Sequence, residues 1–393
     1  MGLLVVGMVV TGPATALAQV PEGGALTWGG NFWGELGHET DSGDPQYLPD
    51  AMPLPEGVTV TDVAAGYSHN LALTDTGEVY SWGNNDFGQL GDGTNSSRSS
   101  PELVPFPVGT TVTQIAAGAL HSLALTSTGA VYAWGANWSG GLGDGTTTDS
   151  ATPVAADVPV GDTVTAVAGG FLHSLALTSD GDVLSWGSNA TGQLGDGTTI
   201  DRLVPVEVHL PVGVDAIDVA GGAEHSLAVT STGTALGWGG NQYGAVGDGT
   251  TVERDTPVEV DLPDGVTVTD VVTGATHSLA LTSTGTALGW GNNFHGQVGD
   301  GTFTDRHLPV EVDLPTGTTL TTLGGEAEHS VAVTSTGDAL SWGLNYWGQL
   351  GDGTFDFGGR ATPVDVVLPE GTTVTEIDGS HTNTVAVAGP PTA

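Results

Sequence analysis

Apolar and small residues come in short blocks along this chain, each bounded by Gly, Asp or Thr-rich turns. From Thr59 to Ala65 the residues are β-branched and small, ending at Gly66. His69-Asn70-Leu71-Ala72-Leu73-Thr74 follows, then a turn at Asp75-Thr76-Gly77, then Glu78-Val79-Tyr80-Ser81-Trp82. Blocks of this length and composition predict three antiparallel strands, the last two joined by a hairpin whose Gly takes positive φ. A fourth strand is expected after a longer loop, clearest at Val204-Pro205-Val206-Glu207-Val208. The blocks are apolar on both sides, as strands are when both faces of a sheet are covered. No helical periodicity competes with this reading.

The unit recurs seven times. His69, His121, His173, His225, His277, His329 and His381 are spaced by 52, and Trp-Gly pairs begin at Trp28, Trp82, Trp134, Trp186, Trp238, Trp290 and Trp342. A fixed period of this size marks a solenoid or a propeller. Each Trp follows its His by 13 residues, as from His69 to Trp82, but the sequence stops at Ala393, before the Trp due after His381. The matching piece, Gly24 to Gly29, stands at the other end. An N-terminal strand is therefore expected to complete the last blade and leave no open sheet edge. The expected fold is all-β: one seven-bladed propeller of four-stranded antiparallel blades over residues 19–389, with 390–393 as a short tail.

The run Gly118-Ala119-Leu120-His121-Ser122-Leu123-Ala124-Leu125-Thr126, then Gly129, then Tyr132-Ala133-Trp134-Gly135, resembles the regulator of chromosome condensation repeat, as does Asn85-Asp86-Phe87-Gly88-Gln89-Leu90-Gly91. The likeness extends from Gly23 to Ala388. It implies a seven-bladed β-propeller, in agreement with the count above. A WD-type repeat fits less well, because Gly and never Asp follows each of the seven Trp. The family also implies binding or regulation through a propeller face: its founding member is a nucleotide-exchange factor, and a secreted relative inhibits β-lactamases. A light-sensing member carries its sensing Trp residues in the segment leading to the His, and that segment holds no Trp here.

Charge then narrows the partners. Five Lys+Arg, all of them Arg, face 45 Asp+Glu, for a formal charge of −40. Such a field argues against nucleic acid and anionic membranes and favours basic partners or solubility in salt. There is no Cys, hence no disulfide and no thiolate metal site. Residues 1–18 read as an export signal, with the apolar run Leu3 to Val10, a break at Gly12-Pro13 and a cleavage motif at Ala16-Leu17-Ala18. The run is too short to span a bilayer. The expected location is secreted or cell-surface, and the expected state a monomer.

Strand parity sorts the loops. The connection before each His and the loop after each Trp share one face, where the copies differ; the Thr-Gly hairpins on the other face are nearly identical. Variable loops on a rigid scaffold usually carry function. Two sets of candidates stand there. In the Asn-x-x-Gly segment, Phe32, Trp33, Phe87, Trp138, Tyr243, Phe294, Tyr346 and Trp347 supply eight aromatics at fourteen variable positions, with Phe303, Phe355 and Phe357 nearby. Such rings suit a protein interface or a sugar platform, or else pack over the blade tops. Before each His, Tyr67, Leu120, Phe171, Glu224, Glu326, Glu328 and Asp378 are expected to line the central mouth, apolar on one side and acidic on the other. A cation, a basic partner or ordered water is open there.

No catalytic residues, cofactor or metal are assigned. Seven-fold symmetry keeps the repeated His too far apart to share one ion, and each is expected to tie its own loop. Adjacent His-Ser pairs point to opposite faces of a strand and make no dyad. The Asp of each Gly-Asp-Gly-Thr (Asp92, Asp144, Asp196, Asp248, Asp300 and Asp352) reads as a turn former, with Arg202, Arg254 and Arg306 close enough in sequence to pair. Asn95, Asn137 and Asn189 fit the glycosylation pattern. The leading function is non-enzymatic protein binding; carbohydrate binding is the alternative. A hydrolase at Glu224, Glu326, Glu328 and Asp378 is a third reading.

Overall fold

The computed structural model describes residues 20–38 and 43–390, with the Glu326 side chain outside that set. The export-signal segment also lies outside it. Among the described residues there are 28 strands and no helix, arranged as seven four-stranded antiparallel sheets. Blade 1 runs Val60–Ala65, His69–Thr74, Val79–Gly83 and Arg98–Leu103 from the axis outward. Blades 2 to 6 repeat this order. Blade 7 combines Val374–Gly379 and Asn383–Ala388 with Ala25–Gly29 and Gln46–Ala51. The N-terminal region therefore closes the ring, supplying two strands to the last sheet.

In blade 7 the 52-residue period and the strand register part company. In blades 1 to 6 the His opens the second strand and pairs with the Gly after Trp, as His69 with Gly83 and His329 with Gly343. In blade 7 the partner of Gly29 is Asn383, and His381 lies two residues earlier, in the loop. The cause is upstream. Gly291 pairs with Arg306, but Gly343 pairs with Arg360, so the blade 6 outer loop is two residues longer and displaces the register of blade 7. The seventh 52-residue step thus lands on a residue that is not structurally equivalent.

The core lies between blades. One cluster joins Leu71, Leu73 and Val79 of blade 1 to Val112, Ile115 and Trp134 of blade 2, and six further clusters repeat this pattern around the ring. The seven repeated Trp are fully buried. Each donates its Nε1–H to a loop carbonyl of the preceding blade, as Trp134 to Gln89 at 2.8 Å and Trp238 to Gln193 at 2.9 Å.

That carbonyl is the hinge of a four-residue clamp. Ser122 donates to the same Gln89 oxygen at 2.9 Å and, through Oγ, meets Nε2 of His69 at 2.9 Å. Because the Ser proton is committed to the carbonyl, Nε2 must be the donor, which fixes the tautomer. The same pairing joins His121 to Ser174, His173 to Ser226, His225 to Ser278, His277 to Ser330 and His329 to Thr384. The His residues therefore tie the next blade rather than their own loops. The first five of these rings also pack on the Gly three residues before them: a Cβ on Gly118 would collide with the His121 ring and with the Gly170 carbonyl.

At the seam the clamp changes chemistry. Asn383 occupies the His position and Asn70 the Ser position, and Asn383 Nδ2 donates to Asn70 Oδ1 at 3.2 Å. Asn70 Nδ2 and Trp82 Nε1 then donate to the Glu35 carbonyl, at 2.9 and 2.7 Å. Removing either amide leaves a buried polar group unpaired, a loss of about 1–3 kcal/mol. Asn70→Ala and Asn383→Ala are each expected to lower the denaturation midpoint. In a double-mutant cycle the pair should be less destabilised than the sum of the singles, because both break one bond; strict additivity would refute the seam bond.

Candidate functional site

The loops on the variable face are built on a buried Asn. Asn85 Oδ1 accepts from Leu90 N–H at 2.9 Å, while its Nδ2 donates to Asp92 and to the Thr94 and Ser96 carbonyls. Asn137 and Asn189 make the same bonds and are buried, so their amides are unavailable as glycosylation acceptors. Each of the five Arg pairs with the Asp of a Gly-Asp-Gly-Thr turn: Arg98 with Asp92, Arg202 with Asp196, Arg254 with Asp248, Arg306 with Asp300 and Arg360 with Asp352. Burial works to raise Asp196, Asp248 and Asp300, but bonds from the neighbouring Thr and Arg outweigh it and hold these carboxyls below the usual range. Every guanidinium of the chain is thus spent on the scaffold.

What this frame leaves free is the pair of residues after the Asn. Phe32, Trp33, Trp138, Phe294 and Trp347 are exposed. Phe87, Tyr243 and Tyr346 are half-buried. The rings do not stand alone. Phe32 meets Trp347 edge-to-face at 4.6 Å and 87°, across the boundary of blades 7 and 6. Phe294, His295, Tyr346 and Phe357 form a further chain of edge contacts at 4.8, 5.6 and 5.2 Å. Since Tyr346 and Trp347 are adjacent, one aromatic strip runs over blades 5, 6 and 7. Phe87 and Trp138 make a separate pair at 4.8 Å on blades 1 and 2. Phe357 belongs to the two-residue insertion of blade 6 and is 74% exposed. Phe303 is exposed, whereas Phe355 stacks on Tyr47 at 5.3 Å.

The mouth holds a cavity of about 200 Å³. Every blade contributes to its wall the residue two positions before the start of its second strand: Tyr67, Ala119, Phe171, Ala223, Ala275, Ala327 and His381. The register shift explains His381, which replaces the Gly379 expected there from the period. It stacks on Tyr67 at 4.3 Å and 10°, and Tyr67 meets Phe171 at 6.0 Å. Glu328 is the one carboxylate among the described lining residues. Leu120 and Glu224 are not among them; they occupy the second position of the loop, beside the neighbouring strand's end. Backbone bonds tie these loops together, as Tyr67 N–H to Ala119 O and Ala275 N–H to Ala327 O. Ala327 takes positive φ, which lets the shortened blade 6 loop turn.

Asp378 is not at the mouth. Its pairing register places it on the inner strand of blade 7, and Ser380 takes the Gly66-equivalent position. Asp378 is one of several acids along the axial channel, a space of about 260 Å³ walled by the inner strands. Its Oδ2 accepts from Ala65 N–H of blade 1 at 2.9 Å. Asp218 accepts likewise from Val271 N–H at 3.0 Å, Gln114 from Val167 N–H at 2.9 Å and Asp62 from Ile115 N–H. Sequence reading missed Asp62, Asp218, Asp270 and Glu376. The signal was there, since all four sit four residues before a repeated Gly or its equivalent.

Burial dominates their titration. It pushes Asp62 up to about 6 and Glu376 and Asp378 to about 7, with Asp62 adding to the last two. Asp270 rises to about 8 through burial and then through Asp218, with which it shares a hydrogen bond. Glu35, at the Gln89-equivalent position, is raised to about 7 by burial, and its Oε1 has no hydrogen-bond partner. No group of three or more metal-ligating side chains occurs among the described residues.

The profile of the RCC1-like domain matches residues 24–386. The chain belongs to that family. It is 36% identical over 330 residues to the ultraviolet-B receptor UVR8 of Arabidopsis thaliana, a match covering 83% of this chain and 74% of the receptor. It is 34% identical over 337 residues to the E3 ubiquitin-protein ligase HERC2 of Mus musculus, covering 83% of this chain but only 7% of the ligase. Among solved structures it resembles yeast RCC1 (Prp20) bound to Kap60, with a TM-score of 0.84 and 26% identity, covering 96% of this chain and 91% of the other. By name these relatives are a receptor, a ubiquitin ligase and a propeller held in complex with another protein.

The buried titratable groups predict an unusual pH profile. Six clamp His are held by burial at about 3 to 4, so stability is lost as pH falls from about 6.5 toward those values. The raised acids act in reverse: their contribution is full below about 4 and is lost as pH rises through 6 to 8. Between about 4 and 6.5 the two nearly cancel. The denaturation midpoint should plateau there and fall by pH 8, and Asp270→Asn should flatten the alkaline limb. A midpoint that keeps rising to pH 8 would contradict the channel assignment.

Proposed function

We propose that this RCC1-like propeller is an exported, non-enzymatic binding module that presents its variable face to a protein partner. The observation that carries the reading is the aromatic strip over blades 5 to 7, where exposed Phe32 and Trp347 touch edge-to-face across a blade boundary and exposed Phe294 and Phe357 are joined through buried His295 and half-buried Tyr346. Rings preassembled on a rigid frame offer large contact area at small entropic cost. Interplanar angles of 62° to 88° give no flat platform for a sugar ring, which disfavours the carbohydrate alternative. The hydrolase reading loses support because Asp378 lies in the channel and Glu224 does not line the mouth cavity, leaving no facing carboxyl pair at the mouth among the described residues. Export is supported by the apolar run and small-residue motif of residues 1–18. The yeast relative held by Kap60 is a precedent for protein recognition in this family.

The test places a photo-activatable residue at Phe357 on the strip, and separately at Val160 in an exposed loop of the opposite face. Irradiation in the secreted and envelope fractions of the producing cell should give a discrete cross-linked protein from position 357 and not from 160. Equal cross-linking from both positions, or none from 357, would sink the proposal.

A further inference from the structure

The mouth cavity is not explained by the aromatic strip. It is small: about 200 Å³, below the roughly 300–1,000 Å³ of a drug-sized ligand pocket, so it suits one side chain rather than a metabolite. Its walls are unequal. Blades 7, 1 and 3 contribute the rings of His381, Tyr67 and Phe171, while blades 2, 4, 5 and 6 contribute Ala at the same position. The repeat therefore opens space on one side and faces it with aromatic surface on the other.

Among the described residues the one carboxylate on this wall is Glu328, 40% exposed at its side chain. Its ion-pair partner among the described residues is His295, at 3.5 Å, a group charged only when protonated. The chain has no spare strong cation to offer it, because all five Arg are held by the Gly-Asp-Gly-Thr turns. His381 does not fill that role either. Burial lowers its affinity for a proton, with Glu328 pulling the other way, so the ring facing the cavity is neutral at pH 7. A net charge of −40 adds a long-range attraction for cationic groups.

We propose that the mouth cavity receives an arginine side chain of the protein partner, its guanidinium stacked against Tyr67, His381 and Phe171 and paired with Glu328. A guanidinium is planar, stacks on aromatic faces and pairs in two-point fashion with a carboxylate, whereas an ammonium is a compact, strongly hydrated point charge. His295 links the two surfaces, touching Glu328 on one side and the Phe294 and Tyr346 rings on the other. The strip would supply contact area and the cavity the anchor, so the assignment rests on the protein-partner reading above.

The probe is N-acetyl-arginine methylamide, titrated into the full propeller by saturation-transfer difference NMR at low salt, beside the matching lysine and citrulline compounds. Citrulline keeps the shape and removes the charge. The arginine probe is expected to bind at least tenfold more tightly than citrulline and more tightly than lysine. Glu328→Gln and Phe171→Ala should each weaken it about tenfold, while Phe357→Ser on the strip leaves it unchanged; thermal midpoints confirm that the variants fold. Equal binding of arginine and citrulline, or an unchanged affinity in Glu328→Gln, would overturn the proposal. A partner cross-linked at position 357 with equal yield in wild type and Glu328→Gln would refute the anchor and leave the protein-binding reading standing. Specific binding of the arginine probe with no cross-linked partner would instead refute the reading on which the anchor rests.

Discussion

The ring depends on one shared acceptor per interface. A loop carbonyl of each blade receives the indole of the next blade together with a second donor from that blade's second strand, a hydroxyl that takes the imidazole proton of the blade before it at six interfaces and the Asn70 amide at the seam. Hydrophobic contact between sheets is non-directional and would allow one blade to slide on another. The clamp does not. It fixes the height of each sheet against its neighbour with bonds buried from water, where an unmade bond costs more than a made one gains. The tautomer and the depressed basicity of the six His, and the glycine packed against five of them, are consequences of this arrangement.

Much of the fold was legible because the constraint recurs. Trp, His and Ser return at fixed spacing since each must meet the same atoms on the next blade, and the missing Trp after the last copy revealed where the ring closes. The same regularity misled at one place. A period of 52 placed a seventh His at 381, but an insertion two residues long had already moved the register, and Asn383 holds the clamp. Counting along the chain could not see this; pairing across the sheet does.

The candidate site was legible in part. Exposed loop aromatics can be listed from the sequence, but whether Phe32 and Trp347 touch depends on blades that are distant along the chain. The acids were harder. Asp378 and Glu328 look alike as exceptions to a repeat, yet one lies on an inner strand bonding a neighbouring backbone and the other faces open space. Asp62, Asp218 and Asp270 were passed over because strand positions read as scaffold, and here the scaffold itself lines the axis. The result is a molecule with two electrostatic regimes: Arg-neutralised carboxylates in the outer turns, and carboxyls along the axis that burial keeps partly protonated.

The Asn–Asn pair at the seam bears on how a chain of near-identical parts finds its own ends. Six interfaces accept an imidazole against a hydroxyl, so each of those surfaces is chemically interchangeable with the others. A sheet that paired with the wrong neighbour, within one molecule or between two, would meet no penalty from the clamp alone. Blade 7 and blade 1 carry a different key. His is longer than Asn and Ser is shorter, so neither a His–Asn70 nor an Asn383–Ser pairing matches the combined reach of the two pairs the ring uses. The seam is thereby marked by a pairing the other six junctions do not use, the kind of mismatch that disfavours shorter rings or exchanged strands.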